Sequence, residues 1–274
     1  MGAYYFPSFT SDGGKILYTS EGYTGLWSFD LSTKQAQVLT TSMGAGYQPI
    51  SLTGNTVVYR QDKYVNRLKH TSFVQLDLSS GNEKQLSEPA RFVTSPVISG
   101  RHLNYFEDKR LVKLEIEQPA AAPQATEDVS LLTNGSKLQL IRNGAEADLM
   151  PLGEGNYIWA ELSPSKDRFV FTMVGQGTYV YSIDGRMISN LGHASAPHWS
   201  LNGKYLVYMR DFDNGVQYTK SEIWVSSADG SRSWQITDTP ARIEMYPHFS
   251  PDNSQIIYHT HQGEIFITEI QFVN

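Results

Sequence analysis

The chain has no cysteine. Disulfide staples and Cys-ligated metal sites are therefore excluded, although the compartment is left open. It has no basic surplus either: 22 Lys and Arg stand against 28 Asp and Glu, for a formal net charge of −6. That balance argues against non-specific nucleic-acid binding and against an anionic membrane surface. No apolar run approaches the ~20 residues of a membrane-spanning helix. Short catalytic signatures are missing as well. There is no G-x-S-x-G elbow, no P-loop and no G-x-G-x-x-G, which removes an α/β-type serine hydrolase and the common nucleotide-binding units. Scattered Asp and Glu give no pairing for glycosidase chemistry. No cofactor is expected.

What is present is size, aromatics and a repeat. A chain of 274 residues is long enough for a true core and could hold one large all-β domain or two smaller ones. Aromatic residues make up 12 %, with 16 Tyr and 5 Trp, which suits strands and wet concave surfaces. The stretch from Pro7 to Thr40 reads as four short strands. The turn Ser11-Asp12-Gly13-Gly14 separates the first two, Glu21-Gly22-Tyr23-Thr24-Gly25 the next, and Ser32-Thr33-Lys34 the last. A lone meander of this size cannot bury both faces and needs copies of itself on either side.

The copies carry a marker: a proline, a spacer, an apolar residue and Ser or Thr. It occurs as Pro7-Ser8-Phe9-Thr10, Pro49-Ile50-Ser51, Pro96-Val97-Ile98-Ser99, Pro197-His198-Trp199-Ser200 and Pro247-His248-Phe249-Ser250. A sixth copy, Ala160-Glu161-Leu162-Ser163-Pro164, has lost the first proline. The steps of 42, 47, 64, 37 and 50 residues suit four-stranded units and predict one β-propeller domain over residues 1–274. Six four-stranded antiparallel blades are expected from six markers. The long step from 96 to 160 leaves the alternative of seven. It holds strands at His102–Phe106 and Leu111–Glu117, a loop at 119–125, and a second group at Val129–Thr133, Lys137–Arg142 and Ala147–Leu152.

Ser250-Pro251-Asp252-Asn253 and Ser11-Asp12-Gly13-Gly14 resemble the repeats of TolB-type β-propellers, and the resemblance covers nearly the whole chain. It implies six blades, a bacterial and periplasmic or otherwise extracytoplasmic location, and binding to a protein partner. The small α/β domain that precedes the propeller in TolB itself is missing from this sequence. Met1-Gly2 followed at once by repeat sequence is read as a start from which an upstream leader has been removed. The chain ends at 264–272, expected as the third strand of its last blade, so that blade has no fourth strand of its own.

Candidate functional residues come from the loops entering the first strands and from two long second-to-third-strand connections. Tyr5, Tyr47, Trp159 and Tyr246 enter first strands of four blades. Arg60 and Arg67 belong to the long segment 60–70, Arg210 and Lys220 to the segment 210–220. Long loops on a rigid scaffold are usual binding sites, and aromatic platforms with cationic donors suit an anionic sugar or an acidic peptide. The bland alternative is inter-blade packing and neutralisation by Asp62, Asp211 and Asp213. Asp211, Asp213 and Gly215 also open a D-x-D-x-G, with Glu222 at the spacing of a late Ca²⁺ ligand; a polar hairpin is the competing reading.

His198 and His248 occupy the same repeat position, and Glu161 is their equivalent one blade earlier. His259 and His261 share one face of a strand by period two. Imidazoles with a carboxylate can ligate a borderline metal, yet each such histidine more commonly packs between blades with its nitrogens bonded to backbone. No metal is assigned. The leading expectation is a non-catalytic binding propeller for a protein partner or surface glycan. The alternatives are a metal-dependent carbohydrate enzyme similar to oligogalacturonate lyases, and a gating propeller related to those of peptidases.

Overall fold

The computed structural model describes residues 2–53, 55–117 and 129–272. The loop expected at 119–125 lies outside them. Every described strand belongs to an antiparallel meander, and seven sheets follow one another along the chain. The first spans 5–43, the second 50–85, the third 97–115, the fourth 129–149, the fifth 157–192, the sixth 195–235 and the seventh 244–269. The third, fourth and seventh have three strands and the others four. The only helix among the described residues is the 3₁₀ turn Glu21–Tyr23. None is long and apolar enough to cross a membrane.

Seven sheets correct the expected six. The additional one is built from Val129–Thr133, Leu138–Arg142 and Ala145–Leu149. It is the extra sheet of the stated seven-blade alternative, and it lacks the marker because the marker reports a local device that a sheet can do without. In four sheets the first strand carries one extra residue. Tyr5 pairs with Thr19 but Ser8 with Leu17; the same slip separates Ile158 from Glu161, Ser195 from His198 and Met245 from His248. At five of the six markers the residue before the proline, or before Ala160, sits in the left-handed region: Phe6 at φ 51°, Gln48 at 50°, Trp159 at 50°, Ala196 at 48° and Tyr246 at 51°. A non-glycine residue there is strained by roughly 1–2 kcal/mol, and a bulge re-aims the side chains that follow it.

The marker's Ser or Thr has a separate task. Thr10 Oγ1 donates to Asp12 at 2.6 Å and accepts from the amide of Lys15 at 3.0 Å. Ser200 does the same with Asn202 and Tyr205, and Ser250 with Asp252 and Gln255. The hydroxyl thus clamps the first turn of the sheet.

Two compact units are formed, Met1–Leu132 with Ile141–Ala145 and Thr133–Leu140 with Glu146–Asn274, so the boundary runs through the fourth sheet. In the first unit, Val57 and Tyr59 join Leu17, Leu26, Val74 and Leu76 in one core. Val58, between them in sequence, turns to Leu103 and Tyr105 of the third sheet. In the second unit Leu206 and Tyr208 pack with Val170, Val180 and Trp199, while Val207 and Met209 pack with Met245, Ile256 and Tyr258. Period-two alternation sends successive side chains to opposite neighbours. Each such Val, Leu or Ile, fully buried, contributes roughly 1.5–3 kcal/mol.

Candidate functional site

The second unit gathers three titratable residues from three successive sheets. Glu161, His198 and His248 each stand two residues after the left-handed position, opposite Val170, Val207 and Ile257. The shared bulge brings equivalent positions together. His198 donates from Nδ1 to Glu161 Oε2 at 2.9 Å, and its ring centroid lies 3.8 Å from that of His248. Trp199 Nε1 donates to the Glu161 carbonyl at 3.3 Å, tying the two strands beside the pair. His198 and Glu161 remain about a third exposed, at 31 % and 39 % of their side chains.

Burial holds the His248 imidazole well below the ordinary histidine range, and the neighbouring His198 and His259 add to the effect. His248 is therefore neutral at pH 7. Behind it, His259 is 2 % exposed, places Nδ1 2.9 Å from the Thr260 carbonyl and stacks on Tyr246 at 5.6 Å and 12°. Burial lowers its pKa to about 4. His261 takes no part: the strand ends at Thr260, and His261 is exposed in the turn that follows. Among the described residues, no three or more His, Asp or Glu side chains are placed to hold a metal ion. What the strip offers is a carboxylate, a carboxylate-held imidazole and a neutral imidazole. These are hydrogen-bond acceptors for hydroxyl groups, and His198 fixed through Nδ1 keeps a lone pair on Nε2.

The rim residues divide. Trp159 and Tyr246 occupy left-handed positions beside Glu161 and His248 and are half-buried. In the first unit Arg60 lies over the Tyr47 ring at 5.1 Å, Tyr47 meets Tyr23 edge-on at 5.0 Å, and Tyr23 contacts Phe6 at 4.7 Å. Tyr5 is 6.5 Å from Phe6. Arg60 is also bonded to Asp62 at 2.8 Å and to Thr71 at 3.1 Å, the neutralisation considered for this loop. Arg67 is exposed at the turn joining Thr56–Val65 to Leu68–Asp77. Arg210 packs over Trp224 at 3.9 Å. Lys220 Nζ lies 3.8 Å from Glu222.

The D-x-D-x-G segment is a polar hairpin. Asp213 accepts the amide of Gly215, and Asn214 accepts those of Val216 and Gln217. Glu222 turns instead to Thr237 and Thr239. That destination, and the buried Glu244 beside it, went unread because their contacts join different sheets.

No protein-family model and no curated protein sequence matches this chain. Solved structures do. The Cps50 (Swd1) β-propeller domain of Myceliophteria thermophila matches with TM-score 0.63 and 10% identity over 99% of this chain and 97% of that one. The fold is a β-propeller. An oligogalacturonate lyase in complex with manganese matches with TM-score 0.52 and 13% identity, over 96% of this chain and 75% of that one. TolB from Acinetobacter baumannii matches with TM-score 0.53 and 18% identity; the match covers 85% of this chain and 53% of TolB. At these identities the likeness shows the fold alone.

Proposed function

We propose that this chain is a binding propeller for a hydroxyl-rich surface glycan, recognised at the strip Glu161, His198 and His248. One observation carries the reading: three successive sheets present acceptor side chains at the same bulged position, joined by the 2.9 Å Glu161–His198 bond and the 3.8 Å ring contact. Trp159 and Tyr246, two residues before Glu161 and His248, supply aromatic surface of the kind that stacks on sugar rings. Left-handed backbone at Trp159, Ala196 and Tyr246 is the strain that persists where a site must be pre-organised. Arg60 and Arg210 have protein partners, so the recognition rests on hydroxyl groups more than on charge. An extracytoplasmic location, the one the TolB-type repeat resemblance implies, suits a glycan ligand.

The test is calorimetric titration with neutral and acidic oligosaccharides, using wild type, His198→Ala and Trp159→Ala. A ligand of this strip loses about 2 kcal/mol with Trp159→Ala and at least as much with His198→Ala. A ligand indifferent to both substitutions binds elsewhere.

A second reading is enzymatic. A histidine held by a carboxylate is suited to general-base work, and an oligogalacturonate lyase is among the fold neighbours. The described residues do not fit a metal, so no step is assigned to one. Turnover of the same oligosaccharides, lost in His198→Ala, would favour this reading over simple binding.

A further inference from the structure

Glu222 lies in the third strand of the sixth sheet (Tyr218–Ser227) and Glu244 opens the seventh (Glu244–Phe249). Both sheets belong to the second unit and pack through Val207, Ile223 and Val225 against Met245, Ile256 and Tyr258. Both carboxyls are sealed in that interface, at 2 % and 0 % exposure. Thr239 bridges them: its amide reaches both oxygens of Glu222 at 3.3 Å, and its hydroxyl donates to Glu244 Oε1 at 2.6 Å. Glu222 also accepts the Thr237 hydroxyl at 3.0 Å and lies 3.8 Å from Lys220 Nζ. Glu244 Oε2 is buried and receives no donor among the described residues.

Donors and the nearby cation therefore converge on Glu222, while its neighbour keeps one oxygen without a partner. Two ionised carboxylates side by side in a dry interface are mutually repulsive and poorly solvated, so one of them is driven to stay neutral. We propose that Glu222 and Glu244 form a single proton-binding site, an acid pair in which Glu244 carries the proton on Oε2 and Glu222 carries the charge. The shared proton satisfies the one oxygen that otherwise lacks a partner. Burial pushes the Glu244 carboxyl up; the threonine hydroxyls oppose this, and the charge of Glu222 reinforces it.

The other charged and titratable groups around the pair are few. Lys220 faces it from the sixth sheet. Tyr258, on the second strand of the seventh, senses both carboxyls and is itself raised by burial. Arg242 precedes Glu244 in the chain and lies over Phe266 at 4.5 Å. Asp238, between the two threonines, is exposed.

The pair makes the junction of the last two sheets sensitive to alkali. A carboxyl held above its ordinary value contributes stability that is complete below about pH 4.5. The contribution is lost as pH rises through the raised value, because the unfolded chain releases its proton first. One proton changes the folding constant by at most about tenfold per pH unit in that window.

The experiment is urea unfolding from pH 5 to 9 of wild type, Glu244→Gln and Glu222→Gln, with infrared spectra of the wild type and of Glu244→Gln in D₂O at pH 7. Glutamine keeps the shape of the acid and supplies an N–H where the acid supplies an O–H. Expected is a wild-type folding constant that falls with pH relative to Glu244→Gln, by up to tenfold per unit, and a protonated-carboxyl band at pH 7 that disappears in that variant. Equal slopes, or no such band, overturn the proposal. A missing band together with a melting temperature that Ca²⁺ raises and EDTA lowers would mean that a cation, not a proton, holds the pair. Should a glutamine variant fail to fold, the wild-type infrared spectrum alone decides.

Discussion

His198 and Glu161 meet across two sheets, with imidazole Nδ1 2.9 Å from carboxylate Oε2 and about a third of each side chain open to solvent. A side-chain pair so exposed adds at most about 1 kcal/mol to stability. Its conspicuous feature is orientation, because it fixes which ring nitrogen of His198 faces outward. Glu161→Gln should therefore leave the unfolding free energy within about 1 kcal/mol of wild type while weakening the ligand. Loss of several kcal/mol of stability would make the pair a structural clamp.

Acid should weaken the second unit through His259. Its folded pKa of about 4 lies below the ordinary 6.5, so its contribution is present above pH 6.5 and is lost as pH falls towards 4. The full span corresponds to about 3 kcal/mol. Urea unfolding at pH 7 and pH 4.5 should show a drop in wild type that is smaller in His259→Gln, the remainder being carried by His248, which burial also holds low. Matching profiles would refute this source of acid sensitivity.

The turn clamps make a sharper local prediction. Ser200 is fully buried, donates to Asn202 at 2.8 Å and accepts from the Tyr205 amide at 2.9 Å. Ser200→Ala leaves that amide short of an acceptor and should cost about 1–2 kcal/mol. Chemical denaturation measures it; a change below 0.5 kcal/mol, read as roughly no effect, would show the clamp to be dispensable.

Ala196 tests the backbone. At φ 48° it carries strain that glycine does not, roughly 1–2 kcal/mol, against a smaller entropic cost in the unfolded chain. Ala196 is 1 % exposed, so the lost methyl costs a further ~0.8 kcal/mol, and Ala196→Gly should leave stability within about 0.5 kcal/mol of wild type, the balance of those terms. A loss of about 1.5 kcal/mol or more, the full cost of the methyl and of the entropy, would mean that the left-handed geometry is not under strain.

Much of this arrangement was legible before any coordinates. The first strands at Pro7, Pro49, Pro96, Ala160, Pro197 and Pro247 all fall where the marker put them, because proline and the Ser or Thr clamp are local signals. Val129–Thr133 reads as a strand, and as the start of a sheet only in the seven-sheet alternative, which the structure bears out; six is the leading count because nothing in Val129-Ser130-Leu131-Leu132 encodes the bulge or the clamp. The equivalence of Glu161, His198 and His248 could be read from spacing; that their side chains touch could not. The partners of the arginines were only partly legible. Arg60 finds Asp62 two residues on along its own strand, the neutralisation that linear order already offers, while its contact with Tyr47 and that of Arg210 with Trp224 on the neighbouring strand are not displayed by linear order. Strand His259–His261 failed at its end, where the turn begins one residue too early for period two to carry His261 inward.

The central claim is that the histidine strip is the recognition site, and imidazole ¹⁵N NMR during titration with an oligosaccharide that binds tests it most directly. Resonances of His198 and His248 should shift together with a common saturation curve, while those of exposed His261 stay in place. Saturable binding that moves neither His198 nor His248 would contradict the account.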